Sequence, residues 1–418
     1  MEKYLSKFIC GYRKRHGPEH ALLYMIERWK KSLDNKGYAG GVLMDLSKAF
    51  DTINHKLLVA KLHAYGFDIS ALEIIYDYLN NRFQRTKINS SFSSWSLMLS
   101  GMPQGSVNGP KWFNYYINDM FFLFVHTSVC NMADDTTPFA CDPSLDTLIK
   151  KLENDVTNVI EWFESNYMIL NASKCHLLVS GPKNHVQQIS IEVGGEVIWE
   201  SLKEKLLGVT IDKQLKMNSN LSDILQKAGT KVTILSRLSH VMAFARKKVL
   251  MSAVILALFS YGPLLGMFCS KTINDKINHL HKRVLQIVYL DYTSSLDELL
   301  KKDYSITIHQ RNLQLVAVKM FKVLKGHKPD LMNEIFELDH SRSKKTFKRP
   351  NVNTEAYGKN SLRYFGPVVW DDLLPEKYKS IQTLEKFQAE IADWIPDKCP
   401  CSLCKEYLSG VGHIVTFE

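Results

Sequence analysis

Two carboxylates stand side by side in the stretch VCNMADDTTPFAC, residues 129–141, where Asp134 and Asp135 interrupt a mostly apolar, strand-like run. Adjacent like charges repel, and each costs free energy if it leaves water without a partner. A hairpin turn can hold them exposed, because Asp is common in turns. The other chemistry open to such a pair is cation binding. With a third acid nearby they make a set of oxygen ligands suited to Mg²⁺. The third candidate is Asp45, which ends the short apolar run VLMDL. If that strand neighbours the hairpin in one sheet, its end brings Asp45 and Asp134 together. Such a site could hold two divalent cations, one activating a hydroxyl and one steadying phosphate oxygens and the leaving group. On these residues alone, three unrelated surface aspartates are the simpler reading.

The tail KCPCSLCKEYLSGVGHI offers a second constellation: Cys399, Cys401, Cys404 and His413. Cys401 and Cys404 have the C-x₂-C spacing of a zinc half-site, with His413 as a distant fourth ligand. Free thiols are the alternative.

The elements that must position these residues follow from periodicity and punctuation. Residues 1–40 are basic and helical through EHALLYMIERWKKSLDN, and Gly40-Gly41 lead into the strand that ends in Asp45. HKLLVAKLHAYG and SALEIIYDYLNN predict two helices, with Asp51 a candidate cap for the first and Ser70 for the second. RFQRTKIN and SSWSLMLSG predict a hairpin around Ser90–Ser93. GMPQGSVNGP is a Gly/Pro loop ahead of an aromatic-rich helix. A long amphipathic helix capped at Ser144 follows the aspartate hairpin. Strand pairs come next, around Gly194–Gly195 and at EKLLGVTID. From about residue 218 to 335 the pattern is almost wholly helical.

A chain of 418 residues with 45% hydrophobic content builds two or three folded units and is not a disordered protein. Its net charge of +10 is concentrated. Between Lys213 and Arg283, twelve Lys or Arg face only Asp223 and Asp275. That basic face suits a phosphate backbone, or else is a solvated helix surface. Eight cysteines show no disulfide framework, and MEKYLSKFIC lacks the apolar core of a signal peptide. An intracellular, non-secreted protein is expected, nuclear or cytoplasmic. Residues 249–268 carry no charge but are broken by Tyr261, Gly262, Pro263 and Gly266. They read as a buried helix ending near Gly262 rather than a membrane span. SRSKKTFKRP, with Arg342, Lys344, Lys345, Lys348 and Arg349, reads as an exposed basic loop.

MDLSKAFDTINH, GMPQGSVNGP…FNYYINDM, MADDTT, NASKCHLLVSG and KLLGVTID occur in this order. With these blocks the chain, from about residue 10 to 330, resembles the reverse transcriptase domain of non-LTR, LINE-like retrotransposons. The resemblance implies an α+β, right-hand polymerase: partial fingers over 1–40, a palm with an antiparallel sheet and packed helices over 41–215, and a basic helical thumb over 216–335. A C-terminal region with the cysteine-rich tail fills 336–418. It implies an RNA-directed DNA polymerase that adds dNTPs to a DNA primer on an RNA template with two Mg²⁺ (or Mn²⁺) ions. Asp45, Asp134 and Asp135 would be the catalytic, metal-holding acids, joined by the backbone carbonyl near Leu46. Phe50 would lie under the incoming sugar and exclude a 2′-hydroxyl, although a core phenylalanine is its common fate. Pro103, Gln104 and Gly105 would form the loop beneath the template–nucleotide pair, and Lys174 would lie near the triphosphate. Leu206, Leu207, Gly208 and Val209 would grip the primer end.

The chain departs from that pattern at Met132, where an aromatic residue is usual, and at Asn108, Lys111 and Trp112, which replace apolar residues. A buried Lys111 would cost several kcal/mol, whereas an outward one would cost little. By the same resemblance the chain is N-terminally truncated within the fingers, with no endonuclease ahead of it. A catalytically silent fragment that binds nucleic acid through the basic helices is the alternative reading.

Overall fold

A four-stranded antiparallel sheet carries the acidic residues. Its strands are β1 (Tyr38–Leu43), β3 (Ser128–Met132), β4 (Asp135–Asp142) and β6 (His176–Ser180), in the spatial order β6-β1-β4-β3. The short β2 (Leu46–Ser47) continues from β1 and pairs with β5 (Ile169–Leu170). The computed structural model describes residues 2–182, 188–262, 266–339, 346–408 and 411–413. It mixes helix and sheet and divides into two compact units: Met1–Leu207 with Pro329–Leu331, and Gly208–Lys328 with Met332–Glu418.

In the first unit, helices α1 (Pro18–Asp34) and α5 (Leu145–Ser165) pack on the sheet. The apolar positions of α5 that are buried, Leu148, Leu152, Val156, Val159 and Phe163, recur at helical spacing and form one face. Each such side chain contributes about 1.5–3 kcal/mol by leaving water. Helices α2 (His55–Ala64), α3 (Ile69–Leu79) and α4 (Gly109–Ile117) lie between β2 and β3 in sequence. Asn54, not Asp51, caps α2, its side chain accepting from the Leu57 amide at 3.0 Å. Asp68, not Ser70, caps α3; its carboxylate accepts from the Ser70 amide. In both cases the capping side chain is the one just before the first helical residue, where its oxygen reaches the free amides of the first turn. Ser144 precedes α5, but its amide donates to Asp142 Oδ1 and its hydroxyl makes no cap bond. Lys111 is exposed on α4, so its charge stays in water, while Trp112 is buried edge-on to Tyr78.

The second unit is mainly helical: α6 (Asn218–Leu238), α7 (Phe244–Leu250), α8 (Lys271–Tyr289), α9 (Leu296–Asp303) and α10 (Ile308–Leu324). After α7 the uncharged stretch changes winding, through a π turn at Met251–Ile255 and a 3₁₀ turn at Leu256–Phe259. Among the described residues no helix is long and apolar enough to cross a membrane. Of the basic residues, Lys216, Lys227, Arg237, Arg246, Lys276 and Arg283 are exposed. Lys247 is buried and Lys248 is paired with Asp303 at 3.0 Å. Arg342, Lys344 and Lys345 lie outside the described residues. Lys348 and Arg349 pair with Glu337 and Asp372.

Candidate active site

The aspartate hairpin is a two-residue turn: Met132 pairs with Asp135, which leaves Ala133 and Asp134 at the tip. Ala133 takes a left-handed φ of +58°, unusual for a residue with a Cβ, so something must hold it there. Asn131 does so. Its side chain is fully buried, and Nδ2 donates to the Ala133 carbonyl at 3.0 Å and to Thr136 Oγ1 at 3.1 Å, with the Asp135 carbonyl at 3.3 Å. A second brace comes from the N-terminal segment. Ile9 bridges to Asn131, and the Cys10 amide donates to the Asn131 carbonyl. Gly11 presses on the turn so closely that a Cβ there would lie 2.7 Å from the Ala133 amide nitrogen. At the far end of β3, the buried Asp155 of α5 accepts from the amides of His126 and Thr127 and from the Thr127 hydroxyl.

β1 meets the hairpin in a fixed register. Gly41 faces Phe139, Met44 bridges to Thr136, and the Met44 amide donates to the Thr136 carbonyl at 3.1 Å. One residue further on, the same register sets Asp45 opposite Asp135. The Asp45 carbonyl accepts from the Asn171 amide at 2.8 Å, which fixes the backbone between β1 and β2. Asp45, Asp134 and Asp135 therefore share one end of the sheet. The Asp135 carboxyl is pushed above its ordinary range, first by burial of its surroundings and then by the charges of Asp134 and Asp45. Their oxygens do not draw into one tight cluster: the single described group of His, Cys, Asp or Glu ligand atoms lying within 4.8 Å of one another is elsewhere. Three acids held near one another with little counter-charge suit a hard, oxygen-binding cation.

Among the described residues, Lys174 brings a cation to the site. Lys174 Nζ, in the 3₁₀ turn Ala172–Lys174, lies 3.9 Å from Asp45 Oδ2, with its side chain 68% exposed. Phe50 is half-buried. It stacks on Phe113 with centroids 4.3 Å apart and meets Tyr12 edge-on, so one part of the ring belongs to the core. Tyr12, which the sequence did not single out, lies within the field of Asp134, and its hydroxyl is pushed up by burial and then by that charge. Leu46 is buried in β2, with its side chain in the core and its backbone in the pairing with Leu170. Pro103–Ser106 make a tight turn closed by the Ser106 amide to the Pro103 carbonyl. Gln104 and Gly105 are exposed at its tip. Gly105 has φ +80°, as the third position of a type II turn requires, and the space where its Cβ would be is open. The turn is carried on the segment after Phe50, because the Met102 amide donates to the Phe50 carbonyl and the Gly101 amide to that of Ile53. Leu206 and Val209 are buried, and Leu207 and Gly208 both have positive φ.

The tail cysteines form a different cluster from the one expected. Cys399, Cys401 and Cys404 are joined by His309, not His413, with all four ligand atoms within 4.8 Å of one another and all four residues buried. Gly412 packs so closely on His309 that a Cβ there would lie 2.9 Å from its Cγ, and His413 beyond it turns to Asp297, 3.3 Å away.

Residues 1–211 match the family described as reverse transcriptase (RNA-dependent DNA polymerase). The chain is 23% identical over 348 residues to the RNA-directed DNA polymerase from mobile element jockey of Drosophila melanogaster, an alignment covering 80% of this chain and 37% of that protein. It is 22% identical over 298 residues to the probable RNA-directed DNA polymerase from transposon BS of the same fly, covering 66% of this chain and 32% of that one. The chain thus spans roughly a third of the length of these relatives. Among solved structures, apo telomerase from Candida tropicalis aligns with a TM-score of 0.38 at 10% identity, over 77% of this chain and 56% of that one, a likeness too weak to carry an argument. The family match runs over half of the sequence, and the chain belongs to the reverse transcriptase (RNA-dependent DNA polymerase) family.

Proposed function

We propose that this chain is the polymerase part of a retroelement protein and extends a DNA primer with dNTPs on an RNA template. The observation that carries the reading is the sheet end where Asp45, Asp134 and Asp135 share one electrostatic field. That donor set fits divalent cations, Mg²⁺ or Mn²⁺. Two such ions, when bound, activate the primer hydroxyl and neutralise charge on the triphosphate. The chain's own groups do the positioning. The carboxylates of Asp45 and Asp134 hold the cations, with Asp135 beside them and the carbonyl near Leu46 as a further oxygen. Lys174, exposed and only loosely engaged by Asp45, is free to swing to the triphosphate. The exposed edge of Phe50, backed by Phe113, is a wall against a 2′-hydroxyl. The bare tip at Gln104–Gly105 lets a base pair approach the backbone.

Along the chain, partial fingers are assigned to 1–40, palm to 41–215, thumb to 216–335 and a C-terminal region to 336–418. The exposed cations of α6, α7 and α8 hold the duplex by its phosphates, and Leu206–Val209 steadies the primer end. The test is extension of a labelled primer on an RNA template by the purified chain with dNTPs and Mg²⁺ or Mn²⁺. Extension that disappears in Asp134→Ala supports the reading. Salt-sensitive duplex binding without extension by the folded wild-type chain refutes it and leaves a silent binding fragment.

A further inference from the structure

The geometry points to a structural zinc site made by His309, Cys399, Cys401 and Cys404. None of these residues belongs to the acidic site, so the inference stands apart from the polymerase reading. His309 is 2% exposed in the first turn of α10, and the three cysteines are 7%, 3% and 0% exposed. Cys401 Sγ lies 3.8 Å and Cys404 Sγ 3.0 Å from His309 Nε2. A tetrahedral zinc with ordinary Zn–S and Zn–N bonds sets its ligands about 3.6–3.8 Å apart. The four atoms therefore already occupy a volume of about the right size, and a small outward movement of Cys404 Sγ from His309 Nε2 opens the space the ion needs. The Cys404 amide donates to Cys401 Sγ at 3.4 Å, a bond that favours a thiolate sulfur at that position.

The surrounding chain gives an independent reason. Residues 399–408 hold a single 3₁₀ turn, Cys404–Glu406, and no strand ladder, yet they bury their cysteines, Leu403 and Tyr407. Such a segment depends on cross-links to α8 and α10; apart from the His309 contacts, the described side-chain ones fall on its flanks and on Glu406 and Tyr407 rather than on the cysteines. Gln310 and Gln314 Nε2 donate to the Pro396 and Trp394 carbonyls. The Tyr407 hydroxyl bonds Asp275, and Asn274 and Asn278 Nδ2 donate to the Gly412 carbonyl. His309 sits at the centre of this frame, held by a helix start that Thr307 and Gln310 cap reciprocally. Three thiols give up their protons to solvent on binding, and the neutral imidazole completes Zn(Cys)₃(His) with net charge −1. Four protein ligands leave no open position, so the ion staples the tail to α10 rather than performing chemistry.

The full chain, purified under reducing conditions without chelator, is expected to carry about one zinc by elemental analysis. Replacement by Co²⁺ should give the intense visible bands and thiolate charge transfer of a tetrahedral Cys₃His site. Cys401→Ser should lose the metal. Because that variant can also fail to fold, His309→Cys is the second arm: it should keep one ion and shift the cobalt spectrum to that of four thiolates. His413→Ala should keep the wild-type metal content and spectrum. A folded wild-type chain that stays zinc-free in excess Zn²⁺, or a disulfide among the three cysteines under the same conditions, overturns the site. Loss of zinc in His413→Ala with full retention in His309→Ala overturns the ligand assignment.

Discussion

Asn131→Ala is the perturbation that separates the hairpin's geometry from its charges. One amide group holds the turn, donating to the Ala133 carbonyl at 3.0 Å and to Thr136 Oγ1 at 3.1 Å from a fully buried position. Truncation leaves a buried carbonyl without its side-chain donor, a cost of about 1–3 kcal/mol, and removes a second bond worth roughly 1 kcal/mol. The expected loss is about 2–4 kcal/mol of stability. The strand pairing through Met132 and Asp135 is independent of this side chain, so the sheet should persist while Ala133 relaxes from its left-handed φ. Relaxation there displaces Asp134, and a shift of about 1 Å at reacting groups costs on the order of 100-fold in rate. Denaturant unfolding and primer extension measured on the same preparation check both quantities. Thr136→Val is the graded control, since it removes one acceptor and should cost about 1 kcal/mol. Wild-type stability and extension rate in Asn131→Ala would refute the claim that this amide fixes the turn.

The other predictions concern neighbouring groups. Asp135 binds its proton more tightly in the folded chain than in the unfolded one. Its contribution to stability is therefore greatest below the ordinary carboxylate range near pH ~4 and is lost as pH rises through the raised value. Asp135→Asn should remove that decline, so the wild-type-minus-variant difference from denaturant unfolding should change across acidic pH; a flat difference contradicts the linkage. Phe50→Val should raise rNTP incorporation about 10-fold or more relative to dNTP, at a stability cost of about 1–3 kcal/mol from the lost stacking on Phe113. Unchanged discrimination in the folded variant would make Phe50 a core residue only. Gly11→Ala forces a methyl to within 2.7 Å of the Ala133 amide nitrogen and should cost about 1–3 kcal/mol, with slower extension. A melting midpoint identical to wild type would show that the turn moves freely.

Much of the first unit was legible because its signals are local. The apolar run before Asp45 and the paired aspartates between two strand-like stretches are short-range patterns, and they correspond to β1 and to the β3–β4 hairpin. The amphipathic spacing of α5 likewise follows from a single period. What stayed hidden depends on contacts between residues distant in sequence. Asn131 reads as one polar residue in a strand, and only its burial under the turn shows that it braces Ala133. Gly11 and Tyr12 sit in a basic N-terminal stretch more than a hundred residues from the Ala133 that Gly11 presses on and the Asp134 that Tyr12 faces. The cap assignments at Asp51 and Ser70 missed by two or three positions, because hydroxyl and carboxyl candidates crowd both helix starts. The fourth member of the cysteine cluster was sought downstream by spacing, while the structure supplies His309 from a helix ninety residues upstream of Cys399.

The most direct test of the central claim is primer extension on an RNA template by the wild-type chain beside Asp45→Asn, Asp134→Asn and Asp135→Asn. Binding of the same primer–template should be measured in parallel as salt is varied. The account predicts metal-dependent extension by the wild type and its loss in Asp45→Asn and Asp134→Asn, with binding retained and equally salt-sensitive in all. Extension by Asp134→Asn at the wild-type rate would contradict it, since the reaction would then not depend on the carboxylate at the tip of the hairpin.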